Sequence, residues 1–247
     1  MIVSACRLLH MRSYLHRIIR AGRSLLTLNR DREYASLREI LALRRTDKLL
    51  DVGCGDGFWT TRFAKHSGPC VGLDPSECTL GNAHRLHHGP NVSYICANSE
   101  CLPFPDATFD RVVSVSCLEH FGNPAQGLRE MVRVLKYDGI LALSVDSLLP
   151  ANSSSSFRGW HSQRHFVTRY FDQHNLLESL EELELNCESH EVVHLFRSKV
   201  AASLRQTFIR HPRFWLPLFP LFYGAVRVGD RTFNDMHGQI IIVGAKR

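Results

Sequence analysis

The residues of this chain whose types and spacing suit chemistry begin at Leu49-Leu50-Asp51-Val52-Gly53-Cys54-Gly55-Asp56-Gly57. A short apolar run enters a glycine-rich turn, and Phe58-Trp59-Thr60-Thr61-Arg62-Phe63-Ala64 then reads as the start of a helix. Glycine lacks a Cβ, so this backbone can take positive φ and approach a ligand closely. The first turn of a helix also presents N–H groups that no carbonyl of the helix accepts from. A nucleotide-like cofactor is the expected guest. A second short strand, Cys70-Val71-Gly72-Leu73-Asp74, ends in a carboxylate placed to accept hydrogen bonds from both ribose hydroxyls. Dinucleotide-binding loops space their glycines as G-x-G-x-x-G. Here the third glycine arrives one residue early, at Gly57, and Phe58 stands in its place, which argues against a NAD-dependent oxidoreductase.

D-V-G-C-G-D-G followed by G-L-D-P-S resembles the class I methyltransferases that use S-adenosylmethionine. The resemblance implies S-adenosyl-L-methionine as cofactor, with Asp51, Gly53, Cys54, Gly55, Gly57, Asp74 and Pro75 around it. Asp51 would act indirectly, holding the turn or a water against the methionyl ammonium. Ala97-Asn98-Ser99 resembles the segment after the third strand of these enzymes, where an acid commonly meets the adenine amino group. The amide oxygen of Asn98 would accept that bond without charge, and Ser99 would meet the ring through its backbone N–H. An ordinary Asn-Ser turn is the alternative. Ser116-Cys117-Leu118-Glu119-His120-Phe121, with Arg133-Val134-Leu135-Lys136-Tyr137-Asp138-Gly139, resembles the branch that contains the quinone-biosynthesis C-methyltransferases and many small-molecule enzymes. That branch typically reads L-E-H and then R-V-L-K-P-G-G, so Tyr137 and Asp138 depart from it. By the same analogy Ser116 lies near the methionyl end of the cofactor, and His120 faces the mouth beside it. His120 is either a general base for an acceptor hydroxyl or a residue that only shapes the pocket. No metal site is expected. His161 and His165 lack the glutamate of a zinc-binding helix, and His84, His87 and His88 read as a solvated helix face.

The elements that must position these groups alternate. Strands are expected at Lys48–Val52, Cys70–Asp74, Val92–Cys96, Phe109–Val115 and Ile140–Val145, with helices over Glu33–Arg45, from Phe58, over Ser76–His87 and over Pro124–Lys136. Such alternation means right-handed crossovers and a parallel sheet covered on both faces. The resemblance completes this as a Rossmann-like α/β class I methyltransferase fold, with a seven-stranded, mostly parallel sheet. Its sixth strand falls at His190–Phe196, and its antiparallel seventh, Gln239–Gly244, lies next to the fifth. Ser147–Ser156 reads as a flexible loop, Trp160–Tyr170 as part of the acceptor wall, and Asp172 as the cap of a helix to Glu182.

At 247 residues the chain suits one α/β domain with additions. These are a basic amphipathic helical extension over 1–45 and, within the domain at 46–247, an apolar insertion at 198–237. The formal net charge of +6 is concentrated in residues 1–30, which hold six arginines and no acid. The nearly neutral remainder excludes a surface that coats nucleic acid. The basic segment reads as a helix capping the core, as one lying on an anionic membrane surface, or as a transit peptide. Phe214–Val226 is uncharged and aromatic, but thirteen residues broken by Pro217 and Pro220 are too short to span a bilayer. It is either a packed helical lid or a surface for lipid or an apolar acceptor. Eight scattered cysteines read as reduced and intracellular. The expected protein is therefore a cytoplasmic S-adenosylmethionine-dependent methyltransferase of a small, apolar or lipid-like acceptor. Peripheral membrane contact through 1–30 and 213–227 remains open, as does the oligomeric state. The rival reading is a non-catalytic protein of the same fold, associated with a membrane or a partner.

Overall fold

The computed structural model describes residues 28–185, 192–232 and 237–247, so the basic segment 1–27 lies outside the described residues. The helices and strands run in the order α1 (Arg30–Leu41), β1 (Leu49–Val52), α2 (Thr60–Phe63), β2 (Cys70–Asp74), α3 (Glu77–Leu86), β3 (Val92–Cys96) and β4 (Phe109–Val115). A 3-10 turn, Leu118–His120, leads to α4 (Pro124–Val134), β5 (Leu135–Asp146), α5 (Ser155–His165), α6 (Gln173–Glu181) and β6 (Val192–Leu195). Then come α7 (Lys199–Arg210), α8 (Pro212–Trp215), a 3-10 turn at Leu216–Leu218, α9 (Phe219–Thr232) and β7 (Ile240–Lys246).

The described residues form one seven-stranded sheet, ordered β3-β2-β1-β4-β5-β7-β6. β1 to β5 pair in parallel, and β7 runs antiparallel between β5 and β6. Successive residues of a strand point to opposite faces, and here both faces are apolar because both are covered. Leu50, Val112, Leu141 and Ile241 pack with Leu128 and Met131 of α4 and Leu176 and Leu180 of α6. Their neighbours Leu49, Val113, Ala142, Ile240 and Ile242 pack on the other face with Leu37 and Leu41 of α1, Phe63 of α2, Phe208 of α7 and Val226 of α9. α1 thus covers the domain's own sheet.

The helix starts carry their signals. Ser76, Asn123, Ser154, Asp172 and Ser198 each accept from the backbone N–H three residues on. Two segments differ from expectation. β5 starts at Leu135, directly from α4, because the departure at Tyr137-Asp138 becomes an excursion within the strand. Phe109 pairs with Leu135 and Arg111 with Ile140, while Asp138 turns at φ +64° and pairs with Lys246 at 3.0 Å. Ser147–Ser156 is not a loose loop. The buried Asn152 side chain accepts from Leu149 N at 2.8 Å and donates to Ser147 O at 2.7 Å, and α5 begins at Ser155.

The insertion forms a helical layer on one sheet face. Phe208 of α7 lies against Phe219 and Phe222 of α9. Asp230 of α9 accepts from Phe196 N at 2.9 Å and Arg197 N at 2.6 Å, and it pairs with Arg32 of α1 at 2.7 Å. That one carboxylate ties the insertion to the end of β6 and to α1.

Candidate active site

The glycine turn leaves the carboxyl end of β1 with Gly53, Gly55 and Gly57 at φ of 76°, 55° and 77°. Gly53 N and Cys54 N both donate to Leu73 O of β2, at 2.8 and 2.9 Å. A Cβ on Gly53 would come within 2.0 Å of Cys117 Sγ, and one on Gly57 within 2.1 Å of Tyr94 Oη. Above Gly55 there is open space, with no heavy atom within 4 Å of where a Cβ would stand. The bend is therefore held from beneath and left bare where a ligand would approach. Asp51 is fully buried and accepts from Thr60 Oγ1 at 2.6 Å, joining the strand to the start of α2. Burial pushes its carboxyl up to about 7. Asp74 stands at the carboxyl end of β2, where Oδ2 accepts from Gly55 N at 3.1 Å and Oδ1 from Ser76 N at 2.9 Å. Cys54 is buried, and desolvation raises its thiol. Pro75 is exposed beside Asp74. A nucleoside with a cationic methionyl end fits a bare turn flanked by Asp51 and Asp74.

The remaining predicted residues divide. Asn98 is exposed, and its amide oxygen accepts from Glu100 N at 2.9 Å, so it builds its own turn; Ser99 beside it is buried. Ser116 follows β4 at φ +46°. Its hydroxyl donates to Glu33 Oε1 at 2.8 Å and accepts from Arg30 Nη1 at 3.2 Å. Glu33 Oε1 also accepts from Ser144 Oγ at 2.5 Å. α1 thus reaches over the ends of β4 and β5 and engages the serine. His120 is exposed, with Nδ1 3.1 Å from Phe166 O.

Beside the turn, over the ends of β4 and β5, lies a cavity of about 950 Å³. Among the predicted site residues only Ser116 and His120 line it. Its other walls come from the start of α1, from α5, and from α7 and α8 of the insertion. Residue types and spacing alone gave no role to its buried Glu119, Asp146 and Arg205, or to Glu33 beside them. Asp146 ends β5 and pairs with Arg205 Nη2 at 2.7 Å, while His161 Nε2 stands 3.7 Å from its other oxygen. Burial alone would raise Asp146, but Arg205, together with His161 and Arg30, outweighs it and holds the carboxyl below the usual range. Glu119 is fully buried, and desolvation together with Asp146 pushes it up to about 8. Burial drives His161 down to about 4, so its ring is neutral. Two signals were present in the sequence. Glu119 is the middle residue of L-E-H, and Arg205 is the lone cation on a helix face otherwise made of Ala201, Ala202 and Phe208.

Residues 50–143 match the family described as "Methyltransferase domain". The chain is 39% identical over 98 residues to the 2-methyl-6-phytyl-1,4-hydroquinone methyltransferase 1 of Oryza sativa, covering 39% of this chain and 30% of that protein. It is 36% identical over 106 residues to the ubiquinone/menaquinone biosynthesis C-methyltransferase UbiE of Pasteurella multocida, covering 40% of each. The chain thus spans less than half the length of these relatives. In fold it is similar to the Haemonchus contortus phosphoethanolamine N-methyltransferase 2 crystallised with S-adenosyl-L-methionine, at a TM-score of 0.66 and 17% identity, over 88% of this chain and 52% of that one. The matched residues run from inside β1 to inside β5, so they hold the glycine turn, Asp74 and the ends of the central strands together. On that core, residues 50–143 are a methyltransferase domain, and the fold around them is that of the class I S-adenosylmethionine-dependent methyltransferases.

Proposed function

We propose that the protein transfers a methyl group from S-adenosylmethionine to a small acceptor held in the cavity over β4 and β5. The observation that carries this reading is the bare positive-φ turn at Gly55, hydrogen-bonded to the carboxylate of Asp74 and opening beside a separate cavity. Donor groove and acceptor cavity meet at Ser116. When bound, the cofactor supplies a methyl on a sulfonium, already a good leaving group. The chain's own task is then alignment, which can supply on the order of 7–11 kcal/mol of barrier lowering. Asp74 receives the ribose hydroxyls on lone pairs left free by its two backbone donors. Asp51 offers negative charge beneath the methionyl ammonium, which would draw its proton off. The buried walls keep water from the reacting atoms.

The acceptor is read as apolar in its body. Phe208 and Leu216 line the cavity, and Phe214 stands at its mouth with 73% of its surface exposed. The quinone-related acceptors in the names of the two relatives favour the same class. Leu218 and Leu221 of the insertion are also exposed, and we take these apolar side chains to rest against a membrane from which such an acceptor would enter. Among the described residues no helix is long and apolar enough to cross a bilayer. Calorimetric titration with S-adenosylmethionine, and detection of S-adenosylhomocysteine when extracted lipids and quinones are added, test the reading. Saturable cofactor binding with product formed only with the extract is the expected outcome; no cofactor binding, or product only with polar metabolites, would count against it.

A further inference from the structure

The cavity floor holds two buried groups with nothing to bond. Glu119 Oε1 accepts from Asp146 N at 3.3 Å, but its Oε2 has no hydrogen-bond partner among the described residues. Arg205 spends Nη2 on Asp146 and Nη1 on Gln239 Oε1 at 3.2 Å, yet its Nε–H is also without a partner among the described residues. Both side chains line the cavity and are almost wholly buried. Unpaired buried polar groups are uncommon in folded proteins, and two that line one cavity call for a shared partner, a ligand or an ordered water. With Glu119 neutral and Oε1 already accepting, its proton sits on Oε2. The floor therefore offers two donors and lacks an acceptor.

The charge around the cavity has the matching sign. Four guanidiniums line it: Arg30, Arg164, Arg205 and Arg210. Arg30 is paired with Glu33 at 3.0 Å and Arg205 with Asp146 at 2.7 Å. Arg164 and Arg210 stand exposed at the rim with no ion pair among the described residues. Positive charge focused by low-dielectric walls raises the local concentration of anions. Past the floor, the wall of Phe208, Ile209, Phe214 and Leu216 is apolar.

We propose that the cavity takes its acceptor by an acidic end, a carboxylate or phosphate oxyanion bonded to Arg205 and Glu119, with an apolar body lying along α7 and α8. This rests on the reading of the cavity as the acceptor site, and its test needs neither turnover nor cofactor. Decanoate, decyl phosphate, decanol and decyltrimethylammonium, each below its micelle concentration, are titrated into the full chain and followed by the fluorescence of Trp160 and Trp215. The expected result is that at least one oxyanion binds about tenfold or more tightly than decanol and that the cation binds least, the scale of a charge-assisted bond. Whichever oxyanion binds tighter names the headgroup. Arg205→Lys keeps a cation for Asp146 but removes the Nε–H and should lose most of that preference, whereas a double variant, Arg164→Gln with Arg210→Gln, changes only exposed rim residues and should lose part of it. Glu119→Gln keeps a donor on the floor and should retain it at neutral pH. Decanol binding as tightly as the anions, no probe binding at all, or a preference unchanged in Arg205→Lys would overturn the proposal. S-adenosylmethionine titrated in parallel reports on the cofactor groove alone, so the two readings fail separately.

Discussion

Glu119 and Asp146 share one wall of the cavity and hold opposite charge states, and what separates them is the Arg205 guanidinium. It contacts Asp146 and leaves Glu119 to the full cost of burial. The sign of the resulting pH dependence follows. An unfolded chain would lose the Glu119 proton near its ordinary value of 4.5, whereas the folded protein keeps it to about 8. The folded state binds more protons between those values, so this group makes stability fall as pH rises across that window. Asp51, raised to about 7, acts in the same direction. Because lowered histidines such as His161 act with the opposite sign, the test is the difference: from pH 5 to 8 the urea midpoint of Glu119→Gln should gain on the parent's as pH rises, and parallel curves would mean that Glu119 ionises normally in the fold. For the cofactor, Asp74→Ala should weaken S-adenosylmethionine binding by about 1–3 kcal/mol, the scale of lost charge-assisted bonds. Equal affinity in titration calorimetry would remove Asp74 from that role. Both the turn and Asp74 were legible from residue types and spacing, because turn chemistry is local. The charge states of Glu119 and Asp146 were not, because a carboxyl's pKa depends on what is packed against it.

Among the elements, the glycine turn and α1 do the positioning. The turn is wedged between Cys117 and Tyr94, so Gly57→Ala brings both a left-handed strain and a clash with the Tyr94 ring. A loss of at least about 1 kcal/mol is expected, together with weaker cofactor binding, as read from urea midpoint and calorimetry. An alanine variant of parental stability would mean that the turn has freedom to shift. α1 looks like an ordinary covering helix in sequence, with acids in its first turn. One of them, Glu33, is instead buried over the strand ends, gathering Arg30, Ser116 and Ser144. Glu33→Gln sets an amide against the Arg30 guanidinium and should cost about 1–3 kcal/mol, the penalty for an unsatisfied buried partner. An unchanged urea midpoint would show that the cluster reorganises freely.

The whole molecule is asymmetric. One side of the sheet's carboxyl edge carries the cofactor turn, and the other carries a cavity roofed by the insertion, whose outer face exposes Phe214, Leu218 and Leu221. These residues contribute little to the fold because they touch little of it, so serine at Phe214 and Leu221 should leave stability near the parent's. If the face meets a bilayer, the same pair should lower the affinity for anionic vesicles in co-sedimentation by at least about tenfold, since burying each large apolar side chain contributes on the order of 1.5–3 kcal/mol. Equal pelleting of parent and variant would return the insertion to the role of a lid alone.

By itself the sequence determined the strand spans of β1 to β4 to within a residue, the glycine bend with the acid that ends β2, and the helix cap at Asp172. Each of these is carried by neighbouring residues through periodicity, φ preference or a short side chain capping its own helix, whereas the place of β7 beside β5 came from the resemblance to methyltransferases. Only the tertiary structure decided that Glu33 meets Ser144 across 111 positions and that Arg205 meets Asp146 across 59. Such partners are chosen by the packing of helices on the sheet, and that packing also sets how much water each charge keeps.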